Sequence, residues 1–184
     1  MLEYFTEHAF VFSQIFGFTA MAIAISAYQF NKQKTIMILL TLCSTFWCMH
    51  FLCLKAYAAV AMNLINIVRN FVYGFRDKKW AQGYVIPVIF LIVSVAAVAL
   101  TWSNAWDMLP LIAAFFATVA NWQTDTRRLR YLTYPVSASW LVYNIINRSY
   151  AGMCNEIFTI VSLTVGVVRY DILGKKRKTN GKKK

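Results

Sequence analysis

The chain has 184 residues, of which 59% are hydrophobic and 14% are charged. Soluble domains are about half apolar and a quarter charged, so this composition excludes an ordinary soluble domain. Uncharged stretches at 10–30 and 86–102 approach or reach the ~20 residues that cross a bilayer. The sequence therefore predicts a polytopic membrane protein. The net charge of +12 does not favour a nucleic-acid partner, because the basic residues stand in short connections and in the tail.

Seven apolar segments, taken in chain order, are interpreted as membrane-spanning helices. The predicted spans are 9–30, 35–54, 57–75, 83–102, 106–123, 131–147 and 151–170. This division places sixteen of the 19 Lys and Arg residues on one side of the membrane, with Lys55 and Arg148 on the other. The positive-inside rule then predicts an outer N-terminus and a cytoplasmic C-terminus. Residues 172–184 become a basic cytoplasmic tail that fixes the topology or contacts anionic lipid.

An internal repeat relates the two halves of the chain. A shift of 93 residues aligns "STFWCMHF" (44–51) with "SASWLVYN" (137–144). The matched polar and aromatic positions are Ser44 with Ser137, Trp47 with Trp140 and, after one deleted residue, Asn63 with Asn155. We therefore expect an all-α fold of two parallel three-helix units, 9–75 and 106–171, joined by a linker transmembrane helix at 83–102.

Polar side chains fall on single faces of several predicted helices. The third helix carries a stripe of asparagines, and the seventh carries a matching stripe: Asn63, Asn66 and Asn70, then Asn155, Thr159, Ser162 and Gly166. Interhelical hydrogen bonds would satisfy such groups. Two aligned stripes in both repeats instead favour a wet or ligand-filled pathway. The candidate substrate-binding residues are Ser44, Trp47, His50, Asn63, Asn66, Ser137, Trp140, Tyr143, Asn155 and Thr159.

Two charged residues lie within predicted spans. Glu156 is the one acid well inside a predicted helix, and intramembrane acids usually act as proton relays or ligand contacts. It could also pair with Arg148 near the outer surface, so proton coupling and a structural role both stay open. Arg69 lies within snorkelling reach of the inner surface, which favours a structural role. The four cysteines share no face and indicate neither a disulfide nor a metal site.

The helix plan resembles the SWEET and PQ-loop (MtN3-like) transporter superfamily and, more closely, the bacterial inner-membrane family typified by YgjV. The residues that carry the resemblance are "AYQFNKQKT", "FWCMH", "KAYAAVAMNLINIVRN" and "NRSYAGMCNE". In sugar-carrying relatives, a Trp of the second helix and an Asn of the third line the central pocket in each unit. The resemblance implies the same place for Trp47, Asn63, Trp140 and Asn155. Where the relatives have Pro–Gln, this chain has Tyr28–Gln29 and Trp122–Gln123.

Two functional hypotheses follow. The first is a facilitator in the inner membrane that moves a small, mostly neutral solute such as a sugar, nucleoside or vitamin by alternating access. The second is a non-transporting receptor or partner subunit on the same fold. The sequence has no HExxH motif, no paired intramembrane carboxylates and no nucleophile beside a base, so we expect no enzyme and no cofactor. The expected partners are the bilayer and the solute, and a homo-oligomer stays open.

Overall fold

The structure is a computed structural model that describes residues 8–27, 33–75, 78, 83, 85–122 and 126–173. This part of the chain is all α-helical and contains seven helices and no strand. The helices are α1 (Ala9–Ala27), α2 (Gln33–Cys53), α3 (Tyr57–Tyr73), α4 (Val85–Leu100), α5 (Met108–Trp122), α6 (Thr126–Ile146) and α7 (Tyr150–Gly166). A 3-10 turn, Ala105–Asp107, precedes α5, and a π-helical segment, Val167–Leu173, continues α7.

Helix bounds agree with the predicted spans within a few residues, except at the start of α6. This helix begins at Thr126, five residues before the predicted position 131. The sequence predicts a loop for the basic residues at 127–130, but they form the first turn of α6. The Arg127 guanidinium lies 5.8 Å from the centre of the Tyr131 ring, one helical turn later, and this contact supports the helix. The predicted end of the first span at 28–30 and the basic tail from residue 174 onward lie outside the described residues.

Side chains cap the starts of two helical segments. The Asp107 carboxylate accepts hydrogen bonds from the backbone N–H groups of Ser103 (2.7 Å) and Asn104 (3.1 Å), while Asn104 caps the 3-10 turn in return. The Ser149 hydroxyl accepts a hydrogen bond from the Gly152 N–H at 3.1 Å at the start of α7. These groups satisfy amides that a helix leaves unpaired at its first turn.

Two equivalent tight turns join α2 to α3 and α6 to α7. Lys55 (φ 56°) and Arg148 (φ 53°) have left-handed backbones, and no other non-glycine residue in the described chain does. In each turn the following residue, Ala56 or Ser149, donates its N–H to the carbonyl five residues earlier, at 3.0 and 2.8 Å. The two turns are 93 residues apart, which is the spacing of the sequence repeat. We call the end of the bundle that carries them the tight-turn end.

Helix neighbours form a closed series. Helix α2 packs between α1 and α3, and α6 packs between α5 and α7. Helix α3 also touches α5, and α1 touches α7, so the series closes on itself. Helix α4 contacts α3 and α5 from outside this series. The four helices that carry the predicted Trp and Asn residues, α2, α3, α6 and α7, therefore face a shared interior.

Burial follows an inverted pattern in which small and polar residues lie inside and large apolar residues lie outside. Ala20, Ala59 and Ala113 are fully buried, and so is His50. By contrast, Leu100 is 87% exposed, and many other large apolar side chains of the helices are exposed as well. Two helical stretches, Ala9–Ala27 and Tyr150–Arg169, are long and apolar enough to cross a membrane. Small residues at helix contacts and an apolar exterior are typical of membrane bundles.

Candidate functional site

A pocket of about 160 Å³ lies between the four interior helices. Its walls come from α2 (Ser44, Trp47, Phe51), α3 (Asn63, Asn66), α6 (Trp140, Asn144) and α7 (Gly152, Asn155, Glu156). For comparison, a cavity of about 150 Å³ holds a molecule the size of benzene. The pocket therefore suits a small solute rather than a peptide or a lipid.

Three aromatic rings form a stack on one side of the pocket. The Phe51 ring lies 5.8 Å from Trp47 and 6.0 Å from Trp140 between ring centres, with interplanar angles of 26° and 27°. These separations are within the range of favourable offset stacking. Trp47 and Phe51 are one helical turn apart on α2, so their packing against Trp140 joins α2 to α6 across the interior. Tyr143 meets this stack edge-on, 5.9 Å from Trp140.

The wall also has a polar part, and its amide groups are partly used within the protein. The Asn63 side-chain NH₂ donates to the Ala59 carbonyl at 2.9 Å, and that of Asn155 donates to the Glu156 carboxyl group at 3.0 Å. Ser137 is the other hydrogen-bond partner of Glu156. Each bond uses one of the two amide N–H groups, so the second N–H and the amide oxygen of Asn63 and Asn155 stay available to a ligand.

Asn144 is the unsatisfied group of this wall. Its side chain is 2% exposed, and within the described residues nothing donates a hydrogen bond to its Oδ1 atom. A buried acceptor without a donor costs about 1–3 kcal/mol, so such groups are rare in folded proteins. This oxygen packs against the backbone of α7 at Gly152 and is not exposed to the pocket, so its unpaired state is a cost of the close helix packing there.

Gly152 makes room for this arrangement. A Cβ atom at this position would collide with the Asn144 side chain and with the Ser149 hydroxyl. Its counterpart one repeat earlier is Ala59, which is fully buried. Glycine therefore lets the backbone of α7 pass close to the Asn144 amide, where even a methyl group would displace it.

Six of the ten predicted binding residues line the pocket together with Glu156; the four that do not are His50, Ser137, Tyr143 and Thr159. Ser137 lies behind the wall, against Glu156. The Thr159 hydroxyl bonds the Asn155 carbonyl of its own helix at 2.9 Å. The Tyr143 hydroxyl reaches Asp107 at 3.4 Å, in the core beside the pocket.

His50 holds helices together at the tight-turn end instead of facing the pocket. Its Nδ1 atom lies 2.6 Å from the Ser13 carbonyl oxygen, and its Nε2 atom lies 2.6 Å from the Ser149 hydroxyl. A carbonyl only accepts, so Nδ1 carries the proton and donates. Gly17 permits this approach, because a Cβ there would lie 2.6 Å from the Ala151 Cβ and 2.8 Å from His50 Nδ1.

Three lining residues escaped the sequence analysis: Phe51, Asn144 and Gly152. Phe51 and Asn144 each follow a predicted tryptophan by four residues, so extending the Trp47 and Trp140 face by one turn would have found both.

The alignment of the two repeats in the structure also differs from the one proposed from the sequence. Helices α3 and α7 begin at Tyr57 and Tyr150, which are 93 residues apart, so Asn63 corresponds to Glu156 and no deleted residue is needed.

The helices, the inverted burial and the polar interior are those of a helical membrane protein with an internal pocket. Residues 11–173 match the Imp-YgjV family, described as a bacterial inner membrane protein, and the chain belongs to that family. No curated protein and no solved structure matches the chain significantly.

Proposed function

We propose that the chain is a facilitator that moves a small solute across the inner membrane through the central pocket. The observation that carries this proposal is the pocket itself, because both halves of the chain supply equivalent positions to it. Trp47 and Trp140 lie in its wall, as do Asn63 and Glu156, and each pair is 93 residues apart. A site shared by two repeats is the arrangement by which repeat-built transporters alternate access.

The proposed architecture is two parallel three-helix units, α1–α3 and α5–α7, linked by α4. The equivalent turns at Lys55 and Arg148 support it. So do the helix contacts, because the α1–α7 contact becomes the α5–α3 contact when the two units are exchanged. A SWEET-like 3+1+3 plan has this symmetry about an axis along the membrane normal. By the positive-inside rule, the charge distribution favours a tight-turn end outside and a C-terminus in the cytoplasm.

In this proposal the described conformation is closed at the tight-turn end. The Gln14 side chain accepts the Ala151 N–H at 3.1 Å and donates to the Arg148 carbonyl at 3.4 Å, so it joins α1 to the α6–α7 turn. The His50–Ser149 hydrogen bond closes the same place. These few contacts have to separate for solute to enter the pocket from that end, and the aromatic stack beneath them would then part.

Uptake by sealed proteoliposomes tests this function. Vesicles are offered a pool of sugars, nucleosides, vitamins and amines, and their contents are read by mass spectrometry. The Trp47→Ala/Trp140→Ala variant removes two aromatic side chains from the pocket wall. The matched control is Trp102→Ala/Trp106→Ala, since these tryptophans are about half exposed and outside the pocket.

The expected result is accumulation of at least one compound by wild type and control and its loss in the pocket variant. Folded wild-type protein that binds a compound without carrying it into vesicles would overturn the transport proposal. The receptor or partner-subunit reading would then replace it.

A further inference from the structure

The chemistry of the pocket wall identifies the kind of solute it holds. Among the ten lining residues that belong to the described part of the chain, Glu156 is charged and none is Lys, Arg or His. An anionic solute would meet a carboxylate there with no compensating cation, at the cost of buried like-charge repulsion. The lining therefore disfavours anions.

Amide oxygens of the wall lie in the same pocket as this carboxyl group. The Asn63 and Asn155 amides each donate one N–H to a protein oxygen and keep their Oδ1 atom and a second N–H for a ligand. The two Oδ1 atoms and the Glu156 carboxyl group give the wall several acceptors, which N–H donors of a ligand complement.

The aromatic stack supplies the third element. Tryptophan faces attract cations, most strongly where water is excluded, and they also cover an apolar body. Trp47 and Trp140 belong to the same pocket as Glu156. Rings, a carboxylate and amide oxygens around about 160 Å³ form a surface that suits an ammonium group on a short carbon chain, whereas a bare metal ion would leave the ring faces and most of that volume unused.

We propose that the central pocket binds a small primary ammonium compound, with its N–H groups directed to Glu156 and to the Asn63 and Asn155 amide oxygens and its carbon chain against the tryptophans. This assignment names the solute class of the site and rests on the proposed function only for the claim that the bound compound is carried. It differs from the mostly neutral solute expected from the sequence, because Glu156 belongs to the pocket wall.

The test is equilibrium binding to purified, detergent-solubilised full-length protein, followed by tryptophan fluorescence and by thermal unfolding at constant ionic strength. The probes are n-butylammonium, 1-butanol and butyrate, which share one chain and differ in charge. Tetramethylammonium adds a cation without N–H donors. We expect n-butylammonium to bind, the neutral and anionic probes to bind at least about tenfold more weakly, and tetramethylammonium to fall between them.

Two variants test whether n-butylammonium binding depends on Glu156. Glu156→Gln keeps the shape of the side chain and removes the charge, and it should weaken n-butylammonium binding about tenfold or more. Asp107→Asn removes a second buried carboxylate, which lies outside the pocket, and should leave binding unchanged. Equal thermal unfolding midpoints of Glu156→Gln and wild type without ligand exclude a folding defect. If Glu156→Gln fails to fold, Asn63→Leu, which removes an acceptor oxygen from the pocket wall, should likewise weaken n-butylammonium binding.

The outcomes separate this assignment from the transport proposal. Glu156-dependent binding of n-butylammonium supports the assignment even if vesicles take up nothing. Trp-dependent uptake of a neutral compound, with no binding of n-butylammonium, overturns the assignment and leaves transport standing. A Glu156-dependent response to NaCl alone, with none to n-butylammonium, overturns the assignment in favour of a metal-ion site.

Discussion

At the scale of single residues, the pocket depends on close packing around the Asn144 amide. Its Oδ1 atom is buried and unpaired, and Gly152 is the residue whose lack of a side chain permits that position. The Asn144 amide is held in one orientation, and Gly152 sets how closely α7 approaches α6 beside the pocket.

Gly152→Ala is expected to destabilise the protein by about 1–3 kcal/mol, because the new methyl group overlaps the Asn144 and Ser149 side chains. Thermal unfolding in detergent measures this loss. Gly166→Ala, on the same helix, is the control. Its nearest neighbour is Arg130 Cδ at 3.2 Å, which belongs to a flexible side chain. That variant should be neutral or stabilised by up to ~1 kcal/mol through helix propensity. Equal effects of the two substitutions would contradict the packing described for Gly152.

The sequence predicts some residues of the site and not others, for identifiable reasons. Trp47 and Trp140 stand out because tryptophans deep in a span are unusual, and the structure places both in the pocket wall. His50 shares their helical face but lies nearer the tight-turn end, where Ser13 and Ser149 engage both ring nitrogens. Those contacts connect segments far apart in sequence, so no local pattern could reveal them.

At the scale of helices and turns, the repeat is clearest in the two left-handed residues, Lys55 and Arg148. Each terminates a helix with the same pair of backbone hydrogen bonds. The helix count and most helix bounds follow from hydropathy. Hydropathy does not predict the start of α6, because it assigns arginines to a loop. Arginines nevertheless tolerate a helix that extends beyond the apolar region.

Lys55→Gly and Arg148→Gly are expected to stabilise the protein by similar amounts, up to about 1 kcal/mol each, since glycine adopts the left-handed backbone without steric cost. Thermal unfolding of the two single variants and the double variant measures the effect, which should be additive. Lys78→Gly serves as the control for removing an exposed basic side chain. Stabilisation at only one of the two turns would show that they are not energetically equivalent.

Gln14→Ala is expected to loosen the tight-turn end, because it removes both hydrogen bonds from α1 to the α6–α7 turn. The readout is the reaction rate of Ser44→Cys, in a background with all native cysteines replaced by alanine, with a membrane-impermeant thiol reagent added from the tight-turn side. The rate should rise several-fold. Thr19→Ala removes a hydroxyl that bonds only its own helix, at Ile15, and should not change the rate. A Gln14→Ala rate equal to that of Thr19→Ala would show that Gln14 does not hold this end closed.

At the scale of the whole molecule, six helices contact one another in a closed series around the pocket, and α4 lies outside this series. Few polar contacts close the tight-turn end, whereas an aromatic stack spans the middle. Such a distribution of contacts suits the proposed mechanism, in which the two three-helix units rock about the central pocket. Membership of a bacterial inner membrane family agrees with the apolar exterior of the bundle.

The proposed orientation predicts that both tight turns face the periplasm. Lys55→Cys and Arg148→Cys, in the cysteine-replaced background, should react with an impermeant reagent applied to intact spheroplasts, whereas Lys78→Cys should react only after the membrane is opened. All three side chains are exposed, so burial does not account for a difference among them. The reverse pattern of protection would invert the topology.

The central claim is that the pocket opens in turn to both sides of the membrane, and it can be tested without knowing the solute. The measurement is labelling of Ser44→Cys by an impermeant reagent applied in separate experiments to each face of sealed membranes. The account predicts labelling from both faces, slower from the tight-turn side, with Trp102→Cys as the control for leakage because its exposed side chain should react from one face only. Labelling of Ser44→Cys from a single face, under every condition that leaves the protein folded, would contradict alternating access and favour a receptor.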